Sequence, residues 1–104
     1  MLTLELQGDN LYVRLTGELD HSWAPKIREK IDAELTARKY RRAIFDFAGL
    51  TFMDSTGVGL LIGRYKRLKE LGREMVVDNV NAQIDKVLTV SGIYRIVPKL
   101  SKGA

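Results

Sequence analysis

The chain has 104 residues, of which 45% are hydrophobic and 29% are charged, and its formal net charge is +4. This length predicts one compact domain with one core, and the composition is that of a globular protein and not of a disordered one. The absence of cysteine excludes a disulfide framework, thiolate zinc sites and cysteine nucleophiles. No apolar run approaches the roughly 20 residues that cross a bilayer, and the N-terminus lacks a signal-peptide pattern, so we expect a cytoplasmic protein without a membrane partner.

Basic residues gather in two short segments, at 38–42 and at 64–69. Such clusters are typical either of a nucleic-acid footprint or of a solvated loop and a solvated helix face. Acidic residues are interspersed along the rest of the chain, and no recognised nucleic-acid motif accompanies either segment. We therefore expect no direct nucleic-acid partner.

The first half of the chain predicts a hairpin, a helix and a buried strand. Apolar and polar residues alternate over 1–6 and again over 11–16, with a glycine-containing turn between them, which predicts an antiparallel hairpin. Apolar residues at helical spacing then predict a helix from about 22 to 38. The apolar run at 42–47 predicts a central strand of the sheet.

The second half of the chain predicts alternating helices and strands. The predicted elements are a helix from the turn at 54–57 to about 71, a strand at 74–77, a helix at about 81–90, a short strand at 93–97 and a loose end at 98–104. The order β-β-α-β-α-β-α-β indicates a mixed sheet with an N-terminal antiparallel hairpin and parallel strands that are joined by helices. We therefore predict a single α/β domain over residues 1–104, with the helices packed mainly on one face of the sheet.

One stretch of the chain has the features of a functional site. The apolar run that begins at Phe45 leads into the small-residue turn Asp54-Ser55-Thr56-Gly57, and this turn opens a helix. Free backbone N–H groups and the positive end of the helix dipole meet at such a place. A hydroxyl there can bind an anion, act as a nucleophile or carry a phosphate, and Asp54 or Ser55 can simply cap the helix.

A nucleophilic role for Ser55 lacks the residues that it needs. A serine nucleophile requires a base within hydrogen-bond reach, which is usually a histidine held by a carboxylate. The only histidine is His21, and its neighbour Asp20 is adjacent in the chain, an arrangement that rarely forms a relay. The turn also differs from a Gly-x-Ser-x-Gly elbow. We therefore expect that the protein is not an enzyme.

A phosphate-binding loop is also poorly matched. The glycines Gly57, Gly59 and Gly63 are not followed by Gly-Lys-Ser/Thr, and they lie inside a helical pattern. The remaining interpretation is that Ser55 is presented for phosphorylation. A phosphate at a helix N-terminus leaves the fold unchanged, but a partner docked there meets a bulky anion and is repelled, above all if Asp20 or an acidic group of the partner lies close.

The second helix is consistent with a docking role. Its predicted inward stripe is Val58, Leu61, Ile62, Tyr65 and Leu68, and its opposite side carries Thr56, Leu60, Gly63 and Arg67. Leu60 is then an apolar side chain on a solvated face, beside Gly63, which leaves room for a partner backbone. This arrangement predicts either a binding ridge or a chance exposure of one leucine.

Three segments carry a resemblance to a known family. They are Leu15-Thr16-Gly17-Glu18-Leu19-Asp20-His21, Leu50-Thr51-Phe52-Met53-Asp54-Ser55-Thr56-Gly57-Val58-Gly59 and Gly63-Arg64-Tyr65-Lys66, with Glu74-Met75-Val76-Val77 and Ser91-Gly92-Ile93 as further matches. In these segments the chain resembles the STAS family, and within it the bacterial anti-sigma-factor antagonists. The Met-Asp-Ser-x-Gly turn is the family mark, and the first and third segments resemble the sporulation type.

The resemblance implies a non-catalytic protein switch without a cofactor or a metal. In that family the anti-sigma factor is itself a serine kinase, and it phosphorylates the serine that follows Met-Asp. The unphosphorylated antagonist binds the anti-sigma factor and frees the sigma factor, and a PP2C-type phosphatase removes the phosphate. Carried over to this chain, Ser55 is the phosphorylation site, Thr56 is its neighbour, and the 18–22 loop with Asp20 borders it.

The resemblance and the helix pattern together predict a surface that binds the anti-sigma factor. The expected residues are Asp20, His21, Ser22, Asp54, Ser55, Thr56, Gly57, Gly59, Leu60, Gly63 and Arg67. Relatives often have Ser or Ala where this chain has Thr56, and they continue beyond Pro98 into a final amphipathic helix. Two alternatives stay open, which are a STAS module of a general stress-response or other signalling complex, and a nucleotide-binding STAS domain.

Overall fold

The computed structural model describes residues 1–100 of the chain. Its elements are β1 (Leu2–Gln7), β2 (Asn10–Leu19), α1 (Ala24–Ala37), β3 (Arg42–Met53), α2 (Ser55–Glu70), β4 (Glu74–Asp78), α3 (Ala82–Ser91) and a 3₁₀ turn (Ile93–Arg95). The strands form one sheet in the order β1-β2-β3-β4. β1 and β2 pair antiparallel, whereas β2–β3 and β3–β4 are parallel, so the predicted mixed sheet with its N-terminal hairpin is confirmed.

The three helices cover one face of this sheet, as the sequence predicted. Phe45 and Phe47 of β3 point to the same face because side chains alternate along a strand, and both are fully buried. They belong to one apolar cluster with Ile31 of α1, Leu61 of α2 and Leu88 of α3. Within residues 1–100, no helix is long and apolar enough to span a membrane.

The β3 strand is longer than the apolar run that predicted it. Its pairing with β2 continues past Phe47 to Met53, which lies opposite Leu19. The register shifts between Arg14 and Thr16 and again between Gly17 and Glu18, where Gly17 has a φ of +93°. These irregularities interrupt the alternation of apolar and polar residues along both strands. The alternation pattern therefore did not predict that the two strands continue to the edge of the sheet where the candidate site lies.

The predicted final strand at 93–97 is wrong. Gly92, with a left-handed φ of +79°, ends α3, and the backbone N–H groups of Ile96 and Val97 donate to the Ile93 carbonyl at 3.0 and 2.9 Å. This closes the Ile93–Arg95 turn and buries Ile93 and Val97 without forming a strand. The alternation that predicted a strand reflects two side chains that a short turn directs into the core.

The predicted loose end is partly wrong as well, because residues 98–100 are attached to the sheet. The Val77 N–H donates to the Pro98 carbonyl at 3.0 Å, and the Leu100 N–H donates to the Val77 carbonyl at 2.7 Å. Lys99 also lies 3.1 Å from a carboxylate oxygen of Asp85. The other residues of that prediction, 101–104, lie outside the described residues.

Candidate functional site

The Asp54–Gly57 turn starts α2 at the carboxyl end of β3. An Asp54 carboxylate oxygen accepts the Thr56 N–H at 2.9 Å, so Asp54 is the N-cap, and Ser55 is the first residue of the helix. The Ser55 side chain is exposed, and its hydroxyl makes no hydrogen bond to another residue within 1–100. The structure thus places a free hydroxyl at the N-terminus of α2.

The N-cap changes what the turn offers to an anion. The Thr56 N–H is taken by the Asp54 carboxylate, and the Gly57 N–H donates to the Asp54 carbonyl at 3.0 Å. A carboxylate therefore already occupies part of the positive end of the helix dipole. An added anion would meet fewer open N–H groups here than the sequence predicted.

The start of α3 holds the end of β3 in place. The Met53 N–H donates to the Gln83 side-chain oxygen at 3.3 Å, and the Gln83 amide donates to the Met53 carbonyl at 3.2 Å. The Asn81 amide donates to the Leu50 carbonyl at 3.0 Å in the same way. Because β4 pairs with β3 only as far as Asp46, these two side chains take the place of a neighbouring strand. Sequence reasoning missed this clamp, which joins residues far apart in the chain.

Gly57 packs beneath the turn and is buried, whereas the sequence predicted that it lies on the partner-binding surface. A Cβ atom at this position would lie 2.5 Å from Met53 Cγ and 3.2 Å from Leu19 Cδ2. Real Cβ atoms do not approach other atoms as closely as 2.5 Å. The helix can therefore sit this close to the two strand ends only because residue 57 has no side chain.

The predicted 18–22 loop lies beside the turn but begins only at Asp20, because residues 18 and 19 pair with β3 as the end of β2. Leu19 pairs with Met53, so Asp20 and Asp54 leave the sheet from neighbouring parallel strands. Asp20 accepts the Ser22 hydroxyl at 2.7 Å and the Ser22 N–H at 3.0 Å, and the Ser22 hydroxyl is the main cause of the lowered pKa of Asp20. His21 and Ser22 are exposed. The loop thus presents a carboxylate and two polar side chains at the edge that carries Ser55.

The prediction that Leu60 is exposed is wrong. Leu60 retains only 6% of its accessible surface, because α1 lies beside α2 and covers this side of the helix. A groove of about 330 Å³ between the two helices, the α1–α2 groove, is lined by Ala24, Pro25, Arg28, Thr56, Gly59, Leu60, Gly63 and Arg64. A helical periodicity shows which residues share a side, but it does not show which neighbour covers that side.

The remaining predicted residue on this side, Arg67, lies far from the turn. It is roughly 18 Å along α2 from Ser55 at the helical rise. Its guanidinium donates to the Thr36 hydroxyl of α1 at 3.1 Å and lies 3.6 Å from a Glu70 carboxylate oxygen. The structure therefore brings Asp20, Asp54 and Ser55 together but does not bring Arg67 to them.

A second groove beside Ser55 was not predicted. This α2–α3 groove has a volume of about 470 Å³ and is lined by Asp54, Ser55, Val58, Lys86, Val87, Val90 and Ser91. Its wall is largely apolar, and Val90 is 80% exposed. The available signal was Val90 itself, an apolar residue at the end of the helix predicted at about 81–90. Within residues 1–100, no group of three or more His, Asp or Glu residues is arranged to hold a metal ion.

Comparison with known proteins places this arrangement in a family. The STAS domain family matches residues 1–102. The anti-sigma F factor antagonist of Paenibacillus polymyxa is 39% identical over 88 residues, which are 85% of this chain and 75% of that protein. The solved structure of the anti-sigma factor antagonist SpoIIAA in its unphosphorylated form is also similar, with a TM-score of 0.82 at 31% identity. The match covers 99% of this chain and 90% of the SpoIIAA chain.

A structure of the Bacillus cell fate determinant SpoIIAA in the phosphorylated form is also similar, with a TM-score of 0.72 at 31% identity over 99% of this chain and 94% of that one. The family match spans nearly the whole chain, and the predicted resemblance is confirmed. The chain therefore belongs to the STAS domain family, in the group of the anti-sigma-factor antagonists.

Proposed function

We propose that the unphosphorylated protein binds an anti-sigma factor that is also a serine kinase, that this binding releases a sigma factor, and that phosphorylation of Ser55 reverses it. The observation that carries the proposal is the free, exposed Ser55 hydroxyl, which lies between the apolar α2–α3 groove and the Asp20 loop. The P. polymyxa relative is named an anti-sigma F factor antagonist, and the similar SpoIIAA is described in a phosphorylated form. The pathway we propose is sigma-factor control in sporulation, in the cytoplasm.

The modification acts through charge and not through refolding. A phosphate adds about −1.5 to −2 charges at neutral pH. Asp20 and Asp54 already place two carboxylates at this edge of the sheet, so a partner that docks here must accommodate all of them. Because the Ser55 side chain is exposed and supports no hydrogen bond within the described residues, the phosphate disturbs no packing.

The transfer needs chemistry that the partner supplies. The Ser55 oxygen attacks the γ-phosphorus of ATP, a new P–O bond forms, the bond to ADP breaks, and the hydroxyl proton passes to a base of the kinase. A PP2C-type phosphatase then uses water to release inorganic phosphate and to restore the hydroxyl. This chain acts as the substrate in both reactions.

Phosphorylation by the anti-sigma kinase of the same organism tests the proposal. After incubation with ATP, the intact mass of the protein is expected to rise by one phosphate. Ser55→Ala is expected to remain unmodified, and Thr56→Ala is the matched control that still accepts one phosphate. No added phosphate in the unaltered protein, or a phosphate retained in Ser55→Ala, overturns the proposal.

The proposal also predicts that the α2–α3 groove contacts the partner. Val90→Lys is expected to weaken the complex about 10- to 100-fold, because it removes an apolar contact and forces a charge into the interface. Val90 is 80% exposed, so this change has little effect on folding. Calorimetric titration with the unphosphorylated protein measures the dissociation constant.

The matched control for this substitution is Ile96→Lys. Ile96 is 42% exposed and lies near Tyr65 and Pro98, outside the α2–α3 groove. Its substitution makes the same kind of change on a different surface and is expected to leave the affinity within about twofold. Equal affinities for Val90→Lys and the unaltered protein would remove the groove from the docking surface.

A further inference from the structure

Among residues 1–100, one basic side chain lines the α2–α3 groove together with Ser55, and it is that of Lys86. Lys86 is exposed, and it makes no ion pair, hydrogen bond or aromatic contact with another residue of the described part of the chain. The preceding residue Asp85 differs in this respect, because it accepts the Tyr94 hydroxyl at 2.6 Å and the Lys99 ammonium at 3.1 Å. Lys86 is therefore a cation at this groove that is not engaged elsewhere.

The other polar side chains that line the groove beside Ser55, those of Asp54 and Ser91, are already engaged in hydrogen bonds. The Asp54 carboxylate takes the Thr56 N–H at 2.9 Å, and its own charge repels a second anion. The Ser91 hydroxyl, which also lines the groove, donates to the Leu88 carbonyl at 2.8 Å and accepts the Ile93 N–H at 3.2 Å. Of the polar side chains that the described residues place in the groove, the Lys86 ammonium is left as the free donor.

The walls of the groove strengthen an ion pair formed within it. Val58, Val87 and Val90 make the lining largely apolar, and attraction between opposite charges increases where water is partly excluded. The four-carbon stem of lysine lies easily along such a wall while its ammonium reaches a charge at the rim. Among residues 1–100, the charged residues that line this groove are Asp54, at the start of α2, and Lys86 of α3, while Asp20 and His21 lie in the neighbouring loop.

We propose that Lys86 is the counter-ion of a phosphate on Ser55. The pair joins the start of α2 to α3, and the lysine stem then lies over the apolar floor of the α2–α3 groove. Phosphorylation thus covers the docking groove in addition to adding charge beside it. This inference rests on the proposed phosphorylation of Ser55, and it assigns to Lys86 a regulatory role that sequence reasoning did not suggest.

The pKa of the phosphate tests the pair directly. Phosphoserine is introduced at position 55 during translation, so the measurement needs no kinase. The second pKa of the phosphate, ordinarily about 6, is read from the ³¹P chemical shift as the pH is varied. A nearby ammonium stabilises the dianion, so Lys86→Gln is expected to raise this pKa by about half a pH unit. High salt is expected to reduce the difference.

Lys66→Gln is the matched control. Lys66 is an exposed residue of α2 that lies outside the groove, and its loss removes the same charge from the protein. It is expected to leave the phosphate pKa unchanged. An equal pKa in the unaltered protein and in Lys86→Gln, or an equal rise in both lysine variants, overturns the assignment of Lys86. Those outcomes would leave the proposed function intact. The proposed function fails on a different result, which is that the anti-sigma kinase does not modify Ser55.

Discussion

Ser55→Asp is expected to weaken binding to the anti-sigma factor by about 100-fold or more. The substitution puts a third carboxylate at an edge where Asp20 and Asp54 already lie on neighbouring strand ends. Like charges brought together in an interface cost several kcal/mol, and about 2.7 kcal/mol corresponds to a 100-fold loss of affinity. Binding of the purified variant to the anti-sigma factor, measured by calorimetry, checks this value.

Folding of Ser55→Asp is expected to change little. Residue 55 is exposed and is the first residue of α2, where an acidic side chain suits the helix dipole. The thermal midpoint is expected to stay within about 3 °C of that of the unaltered protein. Ser55→Asn is the matched control, since it has the same shape as Asp without the charge. If Asn weakens the complex as much as Asp does, the size of the side chain and not its charge controls binding.

Gly57→Ala is expected to destabilise the fold by about 1–2 kcal/mol. Its Cβ would lie 2.5 Å from Met53 Cγ, and Met53 is buried at the end of β3, so the strand end or the helix must shift. Overpacking of this kind costs about 1–3 kcal/mol, whereas replacing glycine by alanine in a helix recovers up to about 1 kcal/mol. The steric cost is therefore the larger effect. Urea unfolding of both proteins measures the difference.

Gly59→Ala provides the opposite case on the same helix. Gly59 is exposed, and a Cβ there meets no heavy atom within 4 Å. Without a clash, the only remaining effect is the higher helix propensity of alanine over glycine, and the variant is expected to gain up to about 1 kcal/mol of unfolding free energy. If Gly57→Ala were stabilised as much as Gly59→Ala, the packing of α2 against Leu19 and Met53 would not depend on glycine.

The sequence predicts most of the fold because the fold depends mainly on local patterns. Alternation predicted β1 and β2, helical spacing predicted α1 to α3, and the apolar run at 42–47 predicted the central position of β3. Those patterns do not report what lies next to an element. For that reason the helical pattern predicted an exposed Leu60, although α1 covers it. The α2–α3 groove was missed because its walls come from two separate helices.

The candidate site could be located from the residues, but its chemistry could not be chosen from them alone. The strand-to-helix turn singled out Ser55. The lack of a suitable histidine base argued against a nucleophile, and the lack of a Gly-Lys-Ser/Thr segment argued against a phosphate-binding loop. The family resemblance then supplied a specific role for the serine. The hydrogen bonds of Gln83 to Met53 could not be predicted from the sequence, because a glutamine that bonds to the backbone of a distant strand leaves no local sequence pattern.

That clamp also affects how the protein meets other chains. Beyond Asp46, no strand within residues 1–100 pairs with β3 on its β4 side, and an open strand edge is a template for unwanted pairing and aggregation. The amides of Asn81 and Gln83 occupy backbone groups of Leu50 and Met53 along this edge. These amides therefore oppose sheet extension by other chains at the edge that adjoins the proposed docking groove.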